Sequence, residues 1–215
     1  MKRAFQIFSL ILSIIGVLYL VLSYHGYVRY LSLHMYDTET YIKNYPGLEK
    51  TKGRVVVAFN ATEDNINRIK PSVNSILDQG VRVSDIGLTL PYKLYGNIKG
   101  SLKKVLSLYG YNKDYKDSQN FVCSVLREPE GETKIILLEP DIIYGEDFIE
   151  TIVEKSEKNP DKIIYCNHAI LVKPKFFDDK VSCPETELTC KDWIKKCAKN
   201  SGVEILEYSG NRKRI

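Results

Sequence analysis

Three short apolar runs constrain this chain more than anything else in it. "RVVVAF" starts at Arg54, "DIGLTL" at Asp85 and "TKIILLE" at Thr133. A strand buried on both faces reads as a continuous apolar run, whereas a half-buried strand alternates. Between the first two lies "NATEDNINRIKPSVNSILDQG". Thr62 there suits an N-cap, Glu63 and Asp64 suit a first helical turn, and Pro71 starts a second helical piece or kinks the first. "PYKLYGNIKG" reads as a loop, "SLKKVLSLYG" and "SQNFVCSVLRE" as short helices, and "EDFIETIVEKSEKNP" as a longer helix. "KIIYCN" and "AILVKP" read as strands, "TCKDWIKKCAKNSG" as a helix ended by Gly202, and "VEILEY" as a last strand. Strands that alternate with helices make an α/β domain with a mostly parallel sheet flanked by helices. Ligands of such sheets bind beyond the carboxyl ends of the strands.

Ahead of this domain, residues 5–23 form an apolar run without charge, preceded by Lys2 and Arg3. Its length is close to the ~20 residues that cross a bilayer core. No A-x-A-like cleavage site follows, so the run reads as a retained signal-anchor. The alternatives are a buried soluble helix and a cleaved signal peptide. The positive-inside rule makes residues 1–4 a cytoplasmic tip and places the domain in a lumen or outside the cell, as in a single-pass type II membrane protein. Tyr19, Tyr24, Tyr27 and Tyr30 suit a membrane interface. Residues 24–52 read as a stem, 53–209 as the domain, and 210–215 as a basic, disordered tail.

Formal net charge is only +4, from 31 basic and 27 acidic side chains that are interspersed. No basic stripe with interleaved aromatics exists, which argues against nucleic acid as a partner. The phosphate-loop, dinucleotide-binding, HExxH and G-x-S-x-G patterns are absent. Cys183, Cys190 and Cys197 recur every seven residues without a matching histidine pattern. They read as small buried thiols, with a disulfide left open in an oxidising lumen. His168, between two strands, reads as a structural histidine.

The third apolar run ends in Glu139-Pro140-Asp141. The residue before a proline is pushed into extended geometry, and proline then ends the ladder. In extended chain, residues two apart share a side. Glu139 and Asp141 are therefore expected to project together, and two hard oxygen ligands suit Mg²⁺ or Mn²⁺ with a nucleotide's phosphates. The bland alternative makes Asp141 a turn cap and Glu139 a solvated carboxylate.

"VVVAFNATEDNINRIKPSVNSILDQGV…DIGLTLP" resembles the opening of a GT-A-type, family-2-like glycosyltransferase domain, with its "SIL-x-Q" helix and a second strand ending in proline. "TKIILLEPDIIYGEDFIETIVEKSEKNPDKII" resembles that family's "DDDIIYPPDYLE" segment, which carries its D-x-D motif. The likeness covers roughly residues 54–173. "CKDWIKKCAKNSGVEILEY" is similar to the family's late Asp-Trp helix and following strand. The resemblance implies a nucleotide-sugar donor and a divalent metal. It gives Asp141 the metal, and Glu139 the ribose or a metal-bound water. Asn60, Ala61 and Thr62 would line the base and ribose. Asp192 would be the base toward a glycan, lipid or protein acceptor, with Asp178 and Asp179 as alternates. Glu139 and Pro140 depart from the D-D-D pattern, Gly145 and Glu146 replace its two prolines, and Asn65 stands where the family has a basic residue. Asn60-Ala61-Thr62 is also an N-glycosylation sequon, and a glycan there would block such a site. The expectation is a membrane-anchored glycosyltransferase. The alternatives are an inactive glycosyltransferase-like module that binds a glycan or protein, and an unrelated α/β interaction domain.

Overall fold

The computed structural model describes residues 2–98, 100–111, 119–177 and 189–208. The chain divides into two compact units, the first ending at Tyr36 and the second starting at Asp37.

In the first unit, α1 (Lys2–Tyr24) and α2 (Tyr27–Met35) are joined at Gly26, whose φ of 80° breaks the helix. Within α1, Phe5–Tyr24 has a mean hydropathy of 2.5 and is exposed along its length. It is long and apolar enough to cross a membrane.

The second unit begins with α3 (Thr38–Ile42), capped by the Asp37 carboxylate on the Glu39 N–H. The two-residue β1 (Glu49–Lys50) then pairs in parallel with β3 (Val81–Arg82). Residues 37–52, read above as stem, are thus part of the folded domain. Tyr41, Ile42 and Tyr45 pack against its core. The Tyr45 hydroxyl accepts from the Val83 N–H at 3.0 Å, Ser101 donates to Asp37, and Lys104 pairs with Glu39.

The main sheet is built from β2 (Val55–Asn60), β4 (Asp85–Pro91), β5 (Ser107–Tyr111), β6 (Lys134–Leu138), β7 (Lys162–Cys166), β8 (Ala169–Val172) and β9 (Glu204–Tyr208). Their spatial order is β5-β4-β2-β6-β8-β7-β9. Every neighbouring pair is parallel except those of β8, which is antiparallel to β6 and β7. β5 corrects the reading of "SLKKVLSLYG" as one helix. Only Leu102–Val105 (α5) is helical, and the rest is an edge strand on β4.

One face of the sheet is covered by α4 (Ile69–Leu77) and α7 (Phe148–Lys158), through Ile69, Val73, Ile76, Ile149 and Ile152. The other is covered by α6 (Gln119–Arg127) and α8 (Cys190–Ser201), through Val122, Val125, Ile194 and Ala198. Pro71 stands in the first turn of α4, where a missing N–H costs nothing. α8 ends as expected at Gly202, in the left-handed region with φ 68°. A bidentate pair from Arg54 to the buried Glu128 carboxylate, at 2.7 and 3.0 Å, ties the entry of β2 to the end of α6.

Candidate functional site

Strand register assembles a row of polar side chains at the carboxyl edge of the sheet. Asn60 is in register with Thr89, Phe59 with Leu138, and Leu138 with Ala169. One residue further along, Glu139 comes beside Asn60 and opposite His168. Alternation puts all four on one face, above Gly87, Ala58, Leu137 and Ile170. Thr89 is fully buried. Its Oγ1 and the enclosed Oδ1 of Asn60 have no hydrogen-bond partner among the described residues. Buried polar atoms without partners are uncommon, because each carries a desolvation cost that nothing offsets. The two stand side by side at the carboxyl edge of the sheet.

Glu139 and Asp141 flank the end of β6, the middle strand of the sheet. The extended reading through Pro140 needs correction, because Pro140 and Asp141 form a turn. Pro140 has no N–H to continue the ladder, and its carbonyl is taken by the Ser72 hydroxyl at 2.7 Å. The two carboxylates then meet different neighbours. Glu139 Oε2 is 2.8 Å from His168 Nδ1, and Asp141 Oδ2 is 3.9 Å from an Arg68 guanidinium nitrogen. His168 therefore belongs to the site, which its position between two strands did not reveal. Only the β7–β8 hairpin register brings it opposite Glu139.

Tyr144 fixes this arrangement from below. Its hydroxyl accepts from the Glu139 N–H at 2.9 Å and lies within 3.2 Å of the Glu139 and His168 carbonyls, donating to one of them. Burial raises its pKa well above that of an ordinary tyrosine, so the hydroxyl stays neutral.

A second missed group lies on and just after α4, in the "SIL-x-Q" stretch. Ser75 donates to the Ser72 carbonyl and accepts from the Tyr144 N–H at 3.1 Å. The buried Gln79 amide donates to the carbonyls of Ser75 and Gly145, at 2.7 and 2.6 Å. Its carbonyl accepts from the Ile149 N–H at 3.0 Å. Asp147, the residue before α7, makes no side-chain cap, so Gln79 caps that helix from another element. Ser72, Ser75 and Gln79 thus hold the whole Pro140–Ile149 loop by its backbone.

After β2, Ala61 is buried and donates its N–H to the Thr89 carbonyl at 2.8 Å. Thr62 is not the N-cap expected of it. Its own N–H is bound at 2.8 Å by the Asn65 side chain, which closes a turn, and the α-helix starts only at Ile69. Arg68, three residues after Asn65, lies 3.9 Å from Asp141.

Asp192 occupies the first turn of α8. Its N–H donates to Thr189 Oγ1 at 3.2 Å, and its carboxylate accepts from that hydroxyl at 2.7 Å. This engagement accounts for Asp192 as part of a helix cap. Asp178 and Asp179 lie outside the described residues, as does Cys183.

Among the described residues no group of three or more His, Cys, Asp or Glu side chains gathers as a metal cage. Asp141 still fits a hard divalent cation of the kind that nucleotides bring with them. Such ions keep several waters and take only one or two carboxylates along with phosphate oxygens. Among the described residues the exposed Asp141 carboxylate makes only a long contact to Arg68, so its oxygens are open to a cation.

No family model matches the chain, and no curated protein matches it in sequence. Its structure is similar to that of a mannosyltransferase from Pyrobaculum calidifontis solved with GDP-Man and Mn²⁺, with TM-score 0.59 and 10% identity. That match covers 90% of this chain and 65% of the other. A crystal structure of 4-diphosphocytidyl-2C-methyl-D-erythritol synthase matches with TM-score 0.54 and 7% identity, over 76% of this chain and 92% of that one. The glycosyltransferase GlyE of Streptococcus pneumoniae matches with TM-score 0.50 and 14% identity, over 72% of this chain and 46% of GlyE. At these identities the likeness is one of fold. The domain has the GT-A-like, nucleotide-diphospho-sugar transferase fold, a mixed sheet flanked by helices.

Proposed function

We propose that the chain is a membrane-anchored glycosyltransferase that moves a sugar from a nucleoside-diphosphate donor to an acceptor, with a divalent metal. The observation that carries this reading is the polar group at the carboxyl edge, where the Glu139–His168 pair and the exposed Asp141 carboxylate follow the end of the middle strand, beside Asn60. Asn60, Ala61 and Thr62 line the nucleoside, with Thr89 behind them. Asp141, with Glu139 as the second candidate, would hold Mn²⁺ or Mg²⁺ together with the diphosphate. When bound, the metal neutralises the charge of the departing diphosphate. Arg68 adds positive charge on the same side of the loop, and His168 and Tyr144 hold Glu139 in place. The acceptor's proton goes to a carboxylate, for which Asp192 is the candidate and Asp178 and Asp179 the alternates.

In this reading Phe5–Tyr24 is the anchor, with its N-terminus in the cytoplasm and the domain in a lumen or outside the cell. The second reading is an inactive module that binds a glycan or protein. It is favoured by the engagement of Asp192 in a helix cap. Thermal melting with a panel of nucleotide-sugars, with and without Mn²⁺, separates the two. Metal-dependent stabilisation followed by release of the nucleoside diphosphate supports the enzyme. A melting curve that no nucleotide moves supports the module.

A further inference from the structure

α2 is amphipathic the wrong way round for a helix of a water-soluble surface. Tyr27, Tyr30, Leu31, His34 and Met35 recur at i, i+3, i+4, i+7 and i+8, and all five are exposed. The stripe carries no carboxylate, lysine or arginine, and Met35 is 75% exposed. On the opposite side Val28, Arg29 and Ser32 are half-buried, and Leu33 is fully buried. Helices facing water show the reverse, with charged residues outward.

Chain length says what covers this stripe. The 20 residues Phe5–Tyr24 rise about 30 Å as a helix, the thickness of a bilayer's hydrocarbon core. The next residues therefore emerge at headgroup level. There Gly26, left-handed at φ 80°, breaks the helix before α2 begins. An apolar face rich in Tyr suits that depth, since tyrosine has a wet end and an apolar body. The exposed apolar surface of α1 thus continues across Gly26 onto α2.

We propose that α2 lies flat in the membrane interface, with the Tyr27–Leu31–Met35 stripe buried at the boundary of headgroups and acyl chains. The proposal rests on the reading of α1 as an anchor.

The test places a tryptophan at one position at a time in the full chain. The chain is reconstituted in phosphatidylcholine vesicles whose acyl chains carry bromine near the headgroup or near the bilayer centre, and the emission of native Trp193 is subtracted. The positions are Leu12→Trp in α1, Leu31→Trp and Met35→Trp on the stripe, and Ser32→Trp on the opposite side. The expected result is deep quenching of Leu12→Trp. Leu31→Trp and Met35→Trp should each lose roughly half their emission or more to the shallow lipid, as befits a helix buried ~5–10 Å into the interface. Ser32→Trp should lose clearly less. Quenching at Leu31 but not at Met35 means that α2 stands away from the surface, and it overturns the proposal. So does quenching of Leu12→Trp alone, which leaves the anchor intact and hands the stripe to a protein partner. If Leu12→Trp is not quenched either, the anchor reading fails and this one with it.

Discussion

Gln79→Leu removes an amide at nearly constant volume from a position 4% exposed. The side chain makes three hydrogen bonds. The Gly145 carbonyl keeps a second donor, the Phe148 N–H at 3.2 Å. The Ile149 N–H has no comparable substitute, because α7 lacks a side-chain cap of its own. Leaving the buried Ile149 N–H unpaired costs about 1–3 kcal/mol. That is a measurable part of the ~5–15 kcal/mol that holds a domain together. Urea unfolding of the full chain in mild detergent, followed by circular dichroism, should show the midpoint falling with little change in slope. Gln79→Glu sharpens the test. It keeps an acceptor for Ile149 but turns an oxygen toward the Gly145 carbonyl, so it should rescue only part of the loss. A loss below about 0.5 kcal/mol for Gln79→Leu, within the range of ordinary surface substitutions, would refute the view that this side chain holds the loop.

Other outcomes follow from particular groups. Glu128→Ala strands Arg54, and should cost toward the low end of the ~3–5 kcal/mol typical of a broken buried pair, because Arg54 is 41% exposed and can turn to water. Burial pushes the Tyr45 hydroxyl from 10.0 up to about 12. Between those values the unfolded chain ionises Tyr45 while the fold keeps it neutral. Its stabilisation is therefore full below pH 10 and lost as pH rises through about 12, and Tyr45→Phe should flatten that alkaline decline in melting temperature. Asp192→Asn should cut transfer by ~10²–10⁴-fold with donor binding intact if Asp192 is the base. Unchanged turnover with a loss of up to ~1 kcal/mol of stability would leave it as part of the α8 cap alone.

What the sequence made legible follows from how local each signal is. β2, β4 and β6 were readable because strands buried on both faces must be apolar throughout, and β-branched runs do not serve equally well as helices. β5 was not. "SLYGY" is an edge strand whose residues are all half-buried, and Leu102, Val105 and Leu106 before it recur at helical spacing. Gly110 reads as a loop residue, but it is needed because Tyr92 and Tyr95 pack where a side chain would be. Residues 37–52 passed for a stem because their partners, Val83, Ser101 and Lys104, are 38 to 65 positions away. In the site, Asn60, Glu139 and Asp141 stood out because they end strands. Thr89 was hidden inside an apolar run, and His168 needed the register of a hairpin. Gln79 was visible as a signature letter, but its work on a backbone 66 to 70 residues later was not.

The central claim is that the carboxyl edge of this sheet binds a nucleoside diphosphate through a metal at Asp141. Isothermal titration of UDP and GDP into the full chain, with Mn²⁺ and with EDTA, for wild type and Asp141→Ala, tests it most directly. The account predicts that wild type binds at least one of the two nucleotides only with Mn²⁺. Asp141→Ala should lose most of that binding and keep its melting temperature, because among the described residues the Asp141 carboxylate makes only a 3.9 Å contact to Arg68. Equal binding by wild type and Asp141→Ala, or binding of neither nucleotide by wild type with Mn²⁺ present, would contradict it.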